Sequence, residues 1–279
     1  MNNLIKVLAV LVNYGEEQLR YLEQVVRELK GFEKYSVTVI VNSNIPLSIS
    51  GIDKVNVFQL EDYQLLPLTC RKTIWENRND FEIFLYGEND LLFLEKHIDN
   101  HLYYSKILPK NRIAGLIRYE KEFKDVYFTD YHSGNNYVFE WDFNSVEEYH
   151  GKKFAYFSNL HQATFILTKN QLLEVGKKFN FVELVDENEN KFILLIKRKL
   201  RKYLNFKINN KRLLYSVKCK VNTDVYQFGG MKKMICISDF NENLIHHLPN
   251  VYIEGEKGRK KLCSDSKKMT DALKKLLKQ

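Results

Sequence analysis

Cysteine is scarce in this chain, and it forms no pattern. Cys70, Cys219, Cys236 and Cys263 are scattered through 279 residues with no CxxC pair. Such spacing gives neither a zinc framework nor a disulfide scaffold, and it agrees with a reducing cytosol. Long apolar runs are missing too, since nothing approaches the roughly 18 residues that a membrane span needs. The N-terminal LIKVLAVLV is short, is interrupted by Lys6, and leads into Asn13-Tyr14-Gly15-Glu16 with no small-residue cleavage site. It reads as a buried first strand and not as a secretory signal. There is no internal repeat, no low-complexity linker and no recognisable nucleic-acid module.

Acidic residues are missing locally. Residues 191–220 hold eleven Lys/Arg and no acid, and the segment from Lys257 onward carries a net +7. With +8 for the whole chain, the remainder is acidic overall. Segregated positive charge of this kind suits anionic partners: nucleotide phosphates, an acidic acceptor, a membrane surface or nucleic acid. Against the last, the aromatic residues sit mostly within apolar strands and are not interleaved as stacking platforms for single strands. What remains is a composition ordinary for a globular protein, 44% hydrophobic and 28% charged, with enough length for a sizeable core.

The first 120 residues alternate in period. LIKVLAVLV (4–12) is a near-continuous apolar run, as expected of a strand covered on both faces. EEQLRYLEQVVRELKGF places Leu19, Leu22, Val25, Val26 and Leu29 at helical spacing, with Gly31 as the stop. YSVTVIVN (35–42), VNVFQL (55–60), FEIFLY (81–86) and RIAGLIRYE (112–120) read as strands, and LTCRKTIWENRNDF as a helix. This order predicts an α/β fold with a mainly parallel, Rossmann-like sheet and helices on both faces. Further on, DVYFTDY and YVFEWDF around HSGNN read as a β-hairpin. Thr168 with Gln171 forms a capping box, and FILLIKRKLRKYL reads as a basic helix. VNTDVYQFGG reads as a loop, KMICIS as the last short strand, and SKKMTDALKKLLKQ as a basic amphipathic helical appendage.

Chemistry is expected outside the carboxyl ends of the strands. There FEIFLY gives way to Gly87-Glu88-Asn89-Asp90 before the chain turns apolar again. Glu88 and Asp90 could share a hard divalent cation, Mn²⁺ or Mg²⁺; equally, Asn89 or Asp90 could cap a following helix. In NLIHHLPNVYI, His246 and His247 are adjacent on an extended segment and so point to opposite sides, which leaves one of them to complete an oxygen-rich site.

Taken together, FLYGENDLLF, GLIRYE, NLHQATFILTKNQL and IHHLPNVY resemble the metal-dependent GT-A-type glycosyltransferases over about residues 4–253. The match is thin in the first third and nearly absent between 180 and 220. In that family an acidic triplet follows a strand and a histidine near the C-terminal end commonly ligates the metal. The middle acid of the triplet is Asn89 here. The resemblance implies a GT-A-like single domain over 1–255, with a nucleotide-binding half (1–120), an acceptor-binding half (121–255), and a basic tail (256–279). It implies a cytoplasmic enzyme that moves a sugar from a UDP-sugar or related donor to a glycan or glycolipid acceptor, with no nucleic-acid partner. Glu88, Asp90, His246 and His247 become metal candidates, with the ion bridging the donor diphosphate. Asn13, Tyr14, Asn42 and Ser43 would meet the nucleoside, and Arg71 and Lys72 the diphosphate. Arg118, Glu120, His161 and Gln162 would contact substrate, and Asp224 would be the catalytic base. The basic blocks are candidates for docking at the inner face of an anionic membrane.

Overall fold

The structure, a computed structural model, describes residues 4–122, 125–129, 133–134, 137–185, 215–250 and 266–279. Strand β1 (Ile5–Asn13) pairs in parallel with β2 (Tyr35–Ser43) on one side and with β4 (Ile83–Glu88) on the other. β3 (Lys54–Val57) extends the sheet beyond β2, and β13 (Thr164–Thr168) closes the other edge antiparallel to β4. The order is therefore β13-β4-β1-β2-β3. β1 is apolar at nearly every position because alternate side chains feed two cores. Val7, Ala9 and Leu11 meet helix α1 (Leu19–Lys30), whereas Leu8, Val10 and Val12 meet helix α2 (Leu66–Glu76) and its neighbours. Leu22, Val25, Val26 and Leu29 of α1 are wholly buried, each worth about 1.5–3 kcal/mol in transfer from water. The helix ends at Gly31, whose N–H reaches back to the Arg27 and Glu28 carbonyls.

The acidic turn does not start a helix. After it comes β5 (Leu91–Leu92), and α3 (Glu95–Ile107) begins only at Glu95, where the His97 ring accepts from the Leu94 N–H at 3.1 Å. RIAGLIRYE divides into β6 (Arg112–Ala114) and β7 (Ile117–Glu122). Gly115 permits the break, because a Cβ there would lie 2.6 Å from the Lys233 side chain. Of the expected hairpin, the described residues show β9 (Ser133–Gly134) paired with β10 (Tyr137–Val138), while β8 (Asp125–Phe128) pairs with β7. A second hairpin joins β11 (Glu147–Tyr149) to β12 (Lys152–Ala155) through His150 and Gly151, both at positive φ. Such a turn favours glycine. α4 (Lys169–Lys178) carries the expected capping box.

VNTDVYQF is not a loop but most of helix α5 (Val217–Phe228), which packs against α2 and α4. Its helical face of Val221 and Val225 faces the sheet core. β14 (Lys232–Cys236) is followed by a further strand, β15 (Leu244–His247), lying between β5 and β7. Helix α6 (Ser266–Leu277) is amphipathic as expected, yet it is no free appendage. Met269, Ala272, Leu273 and Leu276 are buried with Trp141, Phe157, Ile235 and Ile237 in a third core. The FILLIKRKLRKYL segment lies outside the described residues. Among the described residues no helix is long and apolar enough to cross a membrane.

Candidate functional site

The apolar run of β4 stops at Gly87 for a packing reason. The Phe93 ring folds back over that position, where a Cβ would come within 2.6 Å of it. The reversal leaves Glu88, Asn89 and Asp90 at the carboxyl end of the sheet. Asn89 caps nothing, because its amide donates to Asn13 Oδ1 at 2.7 Å. Asn13 in turn donates to the Gly15 carbonyl at 3.0 Å and to Ser43 Oγ at 3.2 Å. Asn42 donates to Thr69 and Thr73 and accepts from Asn56. Asn13, Asn42 and Ser43 are thus buried cross-links that fix the strand ends. Tyr14 differs: it is 62% exposed, with its ring 5.3 Å from that of Tyr63.

Behind the acidic turn, three side chains from distant parts of the chain line up. His247 Nδ1 lies 2.6 Å from Glu120 Oε1, and its Nε2 lies 3.3 Å from Asp90 Oδ2. Burial works against charge on this imidazole, but hydrogen bonds to Asp90 and Glu120 prevail and lift its pKa to about 9. Asp90 Oδ1 is buried and has no hydrogen-bond partner. Glu88 is partly buried beside it; burial and then Asp90 raise its pKa, opposed by Arg118, Lys218 and His247. Arg118 and Glu120 are both buried; the Arg118 charge acts on Glu88, and Glu120 is joined to the acidic turn through His247.

His246 faces the other way. Its ring stacks on Tyr119 at 4.9 Å, and burial lowers its pKa to about 4 and so favours the neutral ring; what separates it from Asp90 is that it lies on the other face of the strand from His247. His161 lies on the opposite flank, with Nδ1 3.0 Å from Asn222 Nδ2 and Nε2 3.7 Å from Cys219 Sγ. Burial, then Arg118 and the lysines Lys233 and Lys218, keep it neutral. Gln162 is structural, since its Oε1 accepts from the Leu116 N–H across the β6–β7 break.

Three expectations, for Arg71, Asp224 and Lys72, are corrected. Arg71 is wholly buried, donating to the carbonyls of Phe181 and Glu183 and to Asp224 Oδ2, with its guanidinium about 5 Å from the Phe179 and Phe181 ring centres. Asp224 Oδ2 also accepts from the Val185 N–H. Burial raises the Asp224 pKa and lowers that of Arg71 to about 10. Neither group faces the acidic turn: the pair is an internal brace, not a diphosphate clamp and a base. Lys72 is exposed and 4.0 Å from Glu76, a solvated helix face. Sequence reasoning missed Lys218 and Asn222, which α5 brings to the site. Their helical spacing with Cys219 and Val225 in VKCKVNTDVYQF was the available signal.

No group of three or more His, Cys, Asp and Glu side chains converges as a metal cage among the described residues. A two-ligand site does fit. The 3.3 Å between His247 Nε2 and Asp90 Oδ2 is close to the roughly 3 Å between neighbouring ligands on an octahedral ion with bonds of about 2.1 Å. Asp90 Oδ1 lacks a partner, and Glu120 on Nδ1 supplies the carboxylate that commonly orients a ligating imidazole. Ions of this type usually keep waters and take the rest of their shell from substrate phosphates. Neither a protein-family model nor a curated protein matches this chain.

Proposed function

We propose that this chain is a GT-A-like glycosyltransferase that moves a sugar from a nucleoside-diphosphate sugar, with UDP the first nucleotide to test, to a glycan or glycolipid acceptor in the cytoplasm. The observation that carries the reading is the line Glu120–His247–Asp90 at the carboxyl end of an α/β sheet, with an unpartnered buried oxygen on Asp90. Asp90 and His247 would hold Mn²⁺ or Mg²⁺, which supplies Lewis-acid neutralisation of the departing diphosphate. Glu120 fixes the His247 tautomer, so that Nε2 is presented to the ion once its proton has left. Glu88 beside them is suited to hold the ion's water or the acceptor hydroxyl, its pKa raised by burial and by Asp90 with Arg118 and Lys218 opposing. The exposed Tyr14, paired with Tyr63, offers a flat face to the nucleobase.

Calorimetric titration with UDP and a panel of nucleotide-sugars, with and without Mn²⁺, tests this. Mn²⁺ is expected to tighten UDP binding at least tenfold, and Asp90→Ala to remove that gain. Absence of nucleotide binding under both conditions would sink the reading. Steeply salt-dependent RNA or DNA binding that ignores Asp90 would replace it with a nucleic-acid-binding protein.

A further inference from the structure

A cavity of about 400 Å³ lies between the end of α5 and the segment that follows β12, within the range of small-ligand sites. Its walls include the tyrosines Tyr156, Tyr215 and Tyr226, together with Ser158, Gln227 and Lys232. The protein holds two of these phenols from behind. Tyr226 Oη accepts from Gln162 Nε2 at 2.7 Å, and Tyr215 Oη accepts from the Leu160 N–H at 2.9 Å. A phenol has one hydrogen to give as well as lone pairs to accept with. Both hydroxyls accept from the protein, and among the described residues no acceptor is found for the hydrogen of either. Lys232 lies over the Tyr156 ring, 4.8 Å from its centre, and adds a third donor at the rim. No carboxylate stands among the described residues that line the cavity. Flat aromatic faces with several outward donors match a pyranose ring, whose C–H faces stack while its oxygens accept hydrogen bonds.

The position gives this pocket a role. Tyr215 is 6.5 Å, ring centre to ring centre, from His161, and His161 contacts Cys219, whose thiol feels the Glu88 carboxylate. The cavity wall is therefore linked through Tyr215 and His161 to Cys219, the residue on which the Glu88 charge acts. We propose that the cavity is a carbohydrate subsite, taking a sugar ring of the acceptor next to the one that reacts. The carbohydrate assignment stands on the lining; the acceptor assignment rests on the transferase reading above.

Ligand-observed saturation-transfer NMR on the full chain tests it, with methyl glucoside, methyl galactoside and N-acetylglucosamine as probes and UDP with Mn²⁺ as the control. At least one sugar is expected to bind without competing with UDP. Gln227→Trp, which obstructs the cavity, and Lys232→Ala, which removes a rim donor, should each weaken that sugar at least threefold. Both should leave UDP–Mn²⁺ binding and the melting temperature unchanged. If no sugar binds, or if both folded variants bind it as the parent does, the proposal is overturned. If a sugar binds through these residues and UDP does not bind, the carbohydrate pocket stands and the transferase reading falls.

Discussion

Arg71 and Asp224 lie 3.2 Å apart with side chains 0% and 2% exposed. Removing one member strands the other charge in the core, at a cost of about 3–5 kcal/mol. Arg71→Met and Asp224→Leu are each expected to lower unfolding free energy by that order in urea titrations, and the double variant to lose less than the two singles combined. UDP–Mn²⁺ affinity, measured cold where the variants remain folded, should not change; a large loss in Arg71→Met would restore its diphosphate role. The neighbour Lys72 shows why the sequence misled. Arg71 falls within the buried stripe of Cys70 and Ile74, whereas Lys72 points outward. Helical period distinguishes these two positions, but the residue type drew attention to both.

At the scale of elements, α6 is the clearest departure. An amphipathic lysine-rich segment suits a membrane surface, but its apolar stripe is already covered by the chain's own third core. Any membrane attraction through this helix would therefore rest on its lysine face alone. Leu276, wholly buried, should cost about 2–4 kcal/mol when truncated to Ala. A shift below about 0.5 kcal/mol in chemical denaturation would mean that the helix is not docked in solution. α5 gives the converse lesson: polar residues in VNTDVYQF look like a loop, yet Val221, Val225 and Tyr226 supply a helix's buried face. Asn222 and Asp224 survive inside because His161, Gln162 and the Cys219 carbonyl satisfy the first, and Arg71 and the Val185 N–H the second.

Over the whole molecule, buried histidines govern acid stability. His97 and His101 are buried on α3, and burial lowers both pKa values to about 4. In the unfolded chain each titrates near 6.5. The unfolded state thus takes up protons first as pH falls. The contribution of the neutral rings is complete above about pH 6.5 and declines until about pH 4. Each ring accounts for roughly 3 kcal/mol across that window. Urea midpoints should fall steadily from pH 6.5 to pH 4, and His101→Gln should reduce the slope. A pH-independent midpoint over this range would refute it. His161 and His246, also held below their ordinary values by burial, act in the same direction.

Local pattern alone determined the two-sided burial of β1, the stripe and stop of α1, the capping box of α4, the amphipathic character of α6, and the opposed directions of His246 and His247. Each follows from a period of 2 or 3.6 or from a neighbour three residues away, so the information is contained in a short window. Tertiary structure decided which groups meet. Glu120 orients His247 across 127 residues, and Asp224 is drawn to Arg71 across 153. A side chain's period fixes the face it takes, not the partner it finds there. The acid that faces the candidate ion and the acid locked in a brace differ only through these long-range contacts, which pack Asp90 beside His247 and bury Asp224 beneath α2.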